Sequence, residues 1–507
     1  MGKALDRLTR WRRQIGLIAA PILCASLWVV PIEGLSWEAH QLFGIMALMV
    51  CLWITEAIPP PVTALLGPSL CVLTGIADIK TVFASFGDPI IFLLLGSFLL
   101  ARAMLHHGLN RRIALRILGI HWIRGSPTRL MLAFGGTTGF ISMWLSNSAT
   151  TAMMFPVAVA ILSEMARSQS RRDGVEMNYT KLPFSTGLML LTAFAATVGG
   201  LATPVGTPPN LIGIGMIEEH LKVELPFFQW MAFGAPLSLL MLGFLVLYLS
   251  RTYPAERQVL AQAARQVLDD RASAGPLQAG ERNVLIAFCT TVFLWLLPAG
   301  VALIAGADSE SYQWLRDHLP EAVVALIGAM LLFLLPVNWR EGRFTLAWSQ
   351  AIHIDWGTIL LFGGGLAMGE LMFSTGLADW LGREVSAALG THTVLGITVL
   401  FTFLAALISS VASNTASASM VVPVAIAVAK AAGVDPLQPA LGACLGASMG
   451  NMLPVSTAPN AIVYGSGCVP LPHMARVGLV LDLVGCLLTV GVVLWVLPWL
   501  NLAACRI

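Results

Sequence analysis

Charge is what this sequence has least of. Only 11% of its 507 residues are Asp, Glu, Lys or Arg, whereas 57% are hydrophobic. A soluble domain carries about 25% charged residues, so the polar surface is too small to keep a chain of this length in solution. The mean hydropathy of +0.80 agrees. A net charge of only +2 leaves no basic footprint for nucleic acid. The eight cysteines, Cys24, Cys51, Cys71, Cys289, Cys444, Cys468, Cys486 and Cys505, include no CxxC pair. They form neither a zinc pattern nor a disulfide framework, and read as small buried apolar side chains. What remains is a polytopic membrane protein.

The basic start, MGKALDRLTRWRR, runs into an apolar stretch over 15–32 with no small-residue cleavage site. It predicts a first membrane helix with a cytoplasmic N-terminus, not a secretory signal. Further apolar spans fall near 40–57, 61–77, 87–105, 130–165, 185–216 and 229–250. After a polar stretch they resume near 283–305, 320–337, 356–373, 390–432, 437–466 and 474–502. One plain span takes about 20 residues, and 130–165 and 390–432 are longer and interrupted by Gly, Ser, Asn and Pro. A broken backbone survives in lipid only inside protein or along a cavity. Function is therefore sought at those breaks.

The one long polar stretch, 251–282, reads as a cytoplasmic linker. Arg102, Arg111, Arg112, Arg116 and Arg124, and then Arg167, Arg171 and Arg172, suggest two more cytoplasmic segments. The expected division is an N-terminal segment with the first helix (1–36), a first repeat (37–250), the linker (251–282) and a second repeat (283–507).

The repeat rests on four pairs in the same order. WLSNSATTAMMFPVAVAI (144–161) matches VASNTASASMVVPVAIAV (411–428), and TPVGTPPNLI (203–212) matches LPVSTAPNAI (453–462). Weaker pairs are TEAIPPPVTALLG (55–67) with PEAVVALIG (320–328), and LLGSFLLARAMLHHGL (94–109) with FGGGLAMGELMFSTGL (362–377). Duplicated Gly/Pro-interrupted spans are the mark of a secondary transporter with its site between the repeats.

Ser146-Asn147-Ser148 and Ser413-Asn414-Thr415 place hydroxyls and an amide in the middle of apolar stretches. If a helix starts there, a Ser or Asn cap and free backbone N–H groups suit an anion. Two such ends suit a small dianion, one carboxylate for each. Gly206-Thr207-Pro208-Pro209-Asn210 and Ser456-Thr457-Ala458-Pro459-Asn460 must interrupt a helix, and carbonyls freed there suit Na⁺. No Arg or Lys lies within these motifs, so bound cations would balance the anion, which couples substrate to sodium. Glu56 and Glu321 occupy matching places at span ends and read as interface anchors. Asp355, Glu370 and Asp379 read as loop or helix-end residues. His106-His107 with Arg111-Arg112 lacks a spaced carboxylate, so neither a metal site nor catalysis is expected there. Neutral, duplicated polar residues suit binding and not bond breaking, so no enzyme is expected.

Taken together, these motifs resemble the divalent anion:sodium symporter family, whose members carry di- and tricarboxylates or sulfate. The resemblance runs from TEAIP at 55–59 to the last span. It implies an all-α fold of about eleven membrane helices and two re-entrant hairpins, built as an inverted repeat, working as an elevator and assembled as a homodimer. By resemblance, the first sodium site would use Ser142, Ser146, Asn147 and the Gly206 carbonyl. The second would use Ser409, Ala412, Asn414 and Ser456. Substrate would meet Ser146, Asn147, Ser148, Ser413, Asn414 and Thr415, with Thr207, Pro208 and Thr457 lining the pocket. Two departures touch that pocket: Ser148 stands where threonine is usual, and Ala458 where proline is common, which would lessen unwinding. The expected protein is a bacterial inner-membrane importer of C4-dicarboxylates coupled to sodium, without other cofactors. The alternative is a sodium-independent dicarboxylate or sulfate exchanger of the same fold.

Overall fold

In hydrocarbon a helix satisfies its own backbone hydrogen bonds, and the long apolar runs here are helical. The computed structural model describes residues 2–118, 126–173, 177–254, 275–306, 308–390 and 392–496. Among them, 10 helices are long and apolar enough to cross a membrane. An eleventh is made if Glu310–His318 and Glu321–Leu334, bent by 60°, count as one span. A two-stranded hairpin, Pro336–Asn338 with Arg343–Phe344, is the only sheet among the described residues. Most of the polar stretch 251–282, together with Arg124 and Cys505, lies outside the described residues.

The N-terminal helix begins earlier than the apolar run suggested. It is continuous over Gly2–Val29 and packs along Trp37–Thr55, with Arg12 reaching Glu56 at 2.5 Å.

From there the same order of elements occurs twice. Trp37–Thr55, Pro60–Leu73, Pro89–His107 and Leu109–Leu118 are matched by Ala279–Ala305, Glu321–Leu334, Trp356–Ser374 and Leu377–Leu389. A helical hairpin follows in each half, Pro127–Ser142 with Asn147–Asp173 and Val394–Val411 with Asn414–Ala431. Next comes a broken helix, Pro183–Gly200 with Pro208–Leu221 and Leu437–Gly446 with Ala458–Gly465. Phe227–Thr252 and Leu471–Gly491 close the two series.

Packing between the halves is reciprocal. Pro60–Leu73 lies on Trp356–Ser374, and Pro89–His107 lies on Glu321–Leu334. Glycine makes both approaches possible. A Cβ on Gly364 would stand 2.1 Å from the Ala64 carbonyl oxygen, and one on Gly96 would stand 2.6 Å from the Ala325 backbone. Deeper in, Pro208–Leu221 touches Asn414–Ala431, and Ala458–Gly465 touches Asn147–Asp173. The second piece of each broken helix therefore rests on the hairpin of the other half.

Candidate functional site

Each hairpin is anchored by a buried serine. Ser142 and Ser409, the serines just before the two turns, are both fully buried. A capping serine starts each second arm: Ser146 Oγ accepts from Ala149 N at 3.3 Å, and Ser413 Oγ accepts from Ala416 N at 3.2 Å. The first N–H groups of such helices have no intrahelical acceptor. Asn147, Ser148, Asn414 and Thr415, half-buried, lie in those first turns.

Behind the caps, the two halves repeat one arrangement. Ser142 Oγ donates to Asn147 Oδ1 at 2.9 Å, and Ser409 Oγ lies 2.7 Å from Asn414 Oδ1. Ser409 Oγ is also 2.5 Å from the Ala447 carbonyl oxygen. A hydroxyl has one hydrogen to give, so two acceptors compete for one proton.

The broken helices press glycine backbone against these oxygens. A Cβ on Gly200 would stand 2.5 Å from Asn147 Oδ1 and 3.0 Å from the Gly206 carbonyl oxygen. At the matching place, a Cβ on Gly450 would stand 2.8 Å from both Ser409 O and Ser409 Oγ, and 3.0 Å from Asn414 Oδ1. In the second half Ser456 Oγ approaches the Gly450 carbonyl at 2.6 Å and that of Leu453 at 2.7 Å. The second half thus gathers more oxygen acceptors than its hydroxyls can satisfy, and the first brings Asn147 Oδ1 and the Gly206 carbonyl oxygen close to one point. Acceptor-rich neutral oxygens at a helix break are the chemistry a small hard cation uses.

Asparagines hold the breaks open. Asn210 Nδ2 donates to the carbonyls of Gly200 at 3.0 Å and Thr203 at 2.8 Å. Asn460 Nδ2 donates to those of Gly450 at 3.4 Å and Leu453 at 3.0 Å. Both Oδ1 atoms stay buried with no hydrogen-bond partner. Thr203 also bonds the Met143 carbonyl, tying the first break to the first turn.

The structure therefore brings Ser142, Asn147 and Gly206 together in one half, and Ser409, Asn414 and Ser456 in the other. Ala412 is the buried residue linking the two arms of the second hairpin, its N–H held by the Ile408 carbonyl. Ser146 Oγ accepts one bond in its cap, which leaves its hydrogen free to donate. Thr207 is buried and Pro208 half-buried at the restart of the first broken helix. Thr457 caps the other restart, accepting from Asn460 N at 3.3 Å. Among the described residues, no hydrogen bond joins the triplet 146–148 to 413–415. The break that ends at Ala458 is the longer one: helix is absent over 447–457 there but only over 201–207 in the first, apart from a short 3-10 turn at Pro204–Gly206.

Sequence reasoning missed Gly200 and Gly450, whose signal is a small residue at matching distance before each Pro-Asn. It also missed Asn451 and Asp482. Asn451 donates to Asp482 through its backbone N–H at 3.0 Å and its side chain at 2.6 Å.

Other singled-out residues have structural partners. Glu321 accepts from Phe227 N at 2.5 Å. His107 bonds the Thr345 carbonyl at 2.6 Å, and His106 meets Gln350 at 3.0 Å. Arg112 pairs with Glu281 at 2.7 Å, fastening the first half to the start of the second. Asp355 caps Trp356–Ser374, and Asp379 lies in the first turn of Leu377–Leu389. Glu370 differs from expectation, lying inside a helix 3.8 Å from His220. Most of the cysteines are buried as expected, but Cys289 is exposed and Cys51 half-buried.

A 440 Å³ cavity lies beside the first break. Pro204, Leu211, Ile214, Ile90, Leu93 and Glu321 are among the residues that line it.

Comparison with known proteins agrees along nearly the full length. The family model described as the sodium:sulfate symporter transmembrane region matches residues 9–503. A sodium-dependent dicarboxylate transporter, SdcS, of Staphylococcus aureus strain bovine RF122 / ET3-1 is 34% identical over 494 residues, covering 96% of this chain and 91% of that protein. The SdcS protein of strain USA300 gives the same figures. Among solved structures, the YdaH transporter of Alcanivorax borkumensis superposes with a TM-score of 0.52 at 15% identity, over 96% of this chain and 97% of that one. That likeness concerns the fold.

Proposed function

The chain belongs to the sodium:sulfate symporter family, and on that premise we propose that it imports C4-dicarboxylates such as succinate, malate and fumarate, coupled to sodium ions. The carrying observation is the duplicated oxygen cluster behind each hairpin turn, with no lysine or arginine in the motifs that form it. The printed name of the S. aureus relatives supports both the ion and the substrate class.

In this reading, sodium sits among Ser142, Asn147 and the Gly206 carbonyl, and among Ser409, Asn414, Ser456 and the Ala412 carbonyl. Substrate carboxylates meet the first-turn N–H groups and side chains of Ser146, Asn147, Ser148, Ser413, Asn414 and Thr415. Thr207, Pro208 and Thr457 wall the pocket. Each asparagine then has two tasks, its Oδ1 toward the cation and its backbone at the anion end. A dianion brought near uncompensated helix ends is poorly balanced; two adjacent cations change that. Empty cation sites also leave acceptor oxygens crowded, so substrate binds well only after sodium. That order is the coupling.

Counting Pro60–Leu73 as a crossing and each hairpin as none puts an odd number of crossings between equivalent elements, which inverts the second repeat. The same count puts the N-terminus, Arg111, Arg112, Arg116, Arg167, Arg171 and Arg251 on one side, the cytoplasmic side by the positive-inside rule. The hairpins and broken helices form the moving part of an elevator, working against the cross-paired helices in a homodimer. The cavity between Pro204 and Glu321 lies on that sliding boundary. The exchanger alternative is separated by one test in proteoliposomes: sodium-driven succinate accumulation supports symport, whereas uptake that ignores sodium and needs internal dicarboxylate supports exchange.

A further inference from the structure

A carboxylate stands inside the apolar closing helix of the second half. Asp482, in Leu471–Gly491, is 6% exposed, and both its oxygens accept hydrogen bonds from Asn451. Donors on both oxygens suit an ionised carboxylate. No lysine, arginine or histidine among the described residues forms an ion pair with it. A charge held in an apolar interior without a countercharge is costly, and an acid in a membrane span is by default functional. Three neighbouring observations connect Asp482 to the second break. Asn451 follows Gly450, the residue pressed against Ser409 and Asn414. The closing helix touches this same break, since a Cβ on Gly478, one turn before Asp482, would stand 2.4 Å from the Asn451 carbonyl oxygen. Finally, Asn451 Oδ1 and Ser448 Oγ are buried there without a hydrogen-bond partner.

The first half lacks this device. A Cβ on Gly234 would stand 2.7 Å from the Leu201 carbonyl oxygen, so Gly234 and Leu201 match Gly478 and Asn451. Four residues after Gly234 stands Ser238, where the second half has Asp482. Trp230 Nε1 bonds the Leu201 carbonyl at 3.0 Å. One break is tied by an indole, the other by a carboxylate.

We propose that Asp482 is the fixed negative charge of the second cation site. It acts through Asn451 and makes that site bind sodium more tightly than the first. Asp482 touches no substrate; it is a positioning and charge-balancing residue. The inference rests on the cation reading of the second break given above.

The test is the melting temperature of the purified full-length protein in detergent as NaCl replaces choline chloride at constant ionic strength. Wild type, Asp482→Asn and Ser238→Ala are compared, with the sodium dependence of succinate uptake alongside. In the wild type, sodium raises the melting temperature. Asp482→Asn keeps the side-chain shape and shifts the sodium midpoint upward about tenfold, the usual scale for a group behind a metal ligand; Ser238→Ala does not shift it. A lower melting temperature with an unchanged sodium midpoint would make Asp482 purely structural and overturn the proposal. A wild type that does not respond to sodium overturns the cation reading itself, and the proposal with it. If Asp482→Asn does not fold, Asp482→Glu decides, because it keeps the charge. A midpoint within threefold of wild type supports the proposal, and a tenfold loss despite the retained charge contradicts it.

Discussion

The two halves solve the same problem with unequal means. Each has a hairpin whose turn is capped by serine, an asparagine oxygen met by a buried serine, and a helix broken beside a glycine. The first break is short and held by Trp230 and Thr203; the second is longer and held by Ser456, Asn451 and Asp482. What is shared between copies is therefore the set of oxygens, and what differs is how the backbone presenting them is held. The shared part points to a common ligand chemistry, the differing part to unequal affinity.

The strongest way to break this comparison is to add a Cβ at the crossing points. Gly200→Ala and Gly450→Ala each place a carbon within 3.0 Å of site oxygens. Overpacking costs about 1–3 kcal/mol, which corresponds to roughly five- to 150-fold in sodium affinity if it falls on the site. Sodium titration of uptake measures it; wild-type behaviour in either variant would remove that break from the site.

Asn147→Ala and Asn414→Ala come next, each lowering uptake about tenfold or more while the protein remains folded by size-exclusion chromatography. Near-normal uptake by one of them would make the halves functionally unequal in a way that the matching geometry does not allow. Asn210→Ala and Asn460→Ala each remove a buried amide that holds carbonyls of a break. They should destabilise by about 1–3 kcal/mol, read as a drop in melting temperature. Unchanged stability would mean the breaks are held elsewhere. The smallest effect is expected of Ser148→Thr, which alters competition among dicarboxylates about fourfold, on the scale of one added methyl group, without changing the sodium midpoint. An unaltered competition profile would place Ser148 outside the pocket.

Much of this was legible because sequence writes polar interruptions in apolar runs plainly. The motifs around Asn147 and Asn414 announced turns in stretches too long for one helix, and Pro208 and Pro459 announced the broken helices. Serines four residues before each cap, Ser142 and Ser409, could be marked as candidates for the same reason. The N-terminal helix was placed too late because its first turns are charged, and hydropathy sees only the apolar part. Gly200 and Gly450 were not legible as site residues, since their contribution is a missing side chain at a crossing that only the fold creates. Asp482 was overlooked because its partner lies 31 residues away, in a break longer than the proline pattern implied. Long-range pairing of that kind leaves no mark on local spacing.

The central claim is that sodium and a dicarboxylate bind together at the duplicated breaks and cross together. Uptake of labelled succinate into proteoliposomes, with and without an inward sodium gradient and with malate, citrate and sulfate as competitors, tests it most directly. Sodium-driven accumulation, blocked by malate, is the predicted result. Uptake indifferent to sodium, or no succinate uptake while sulfate or citrate moves, would contradict it.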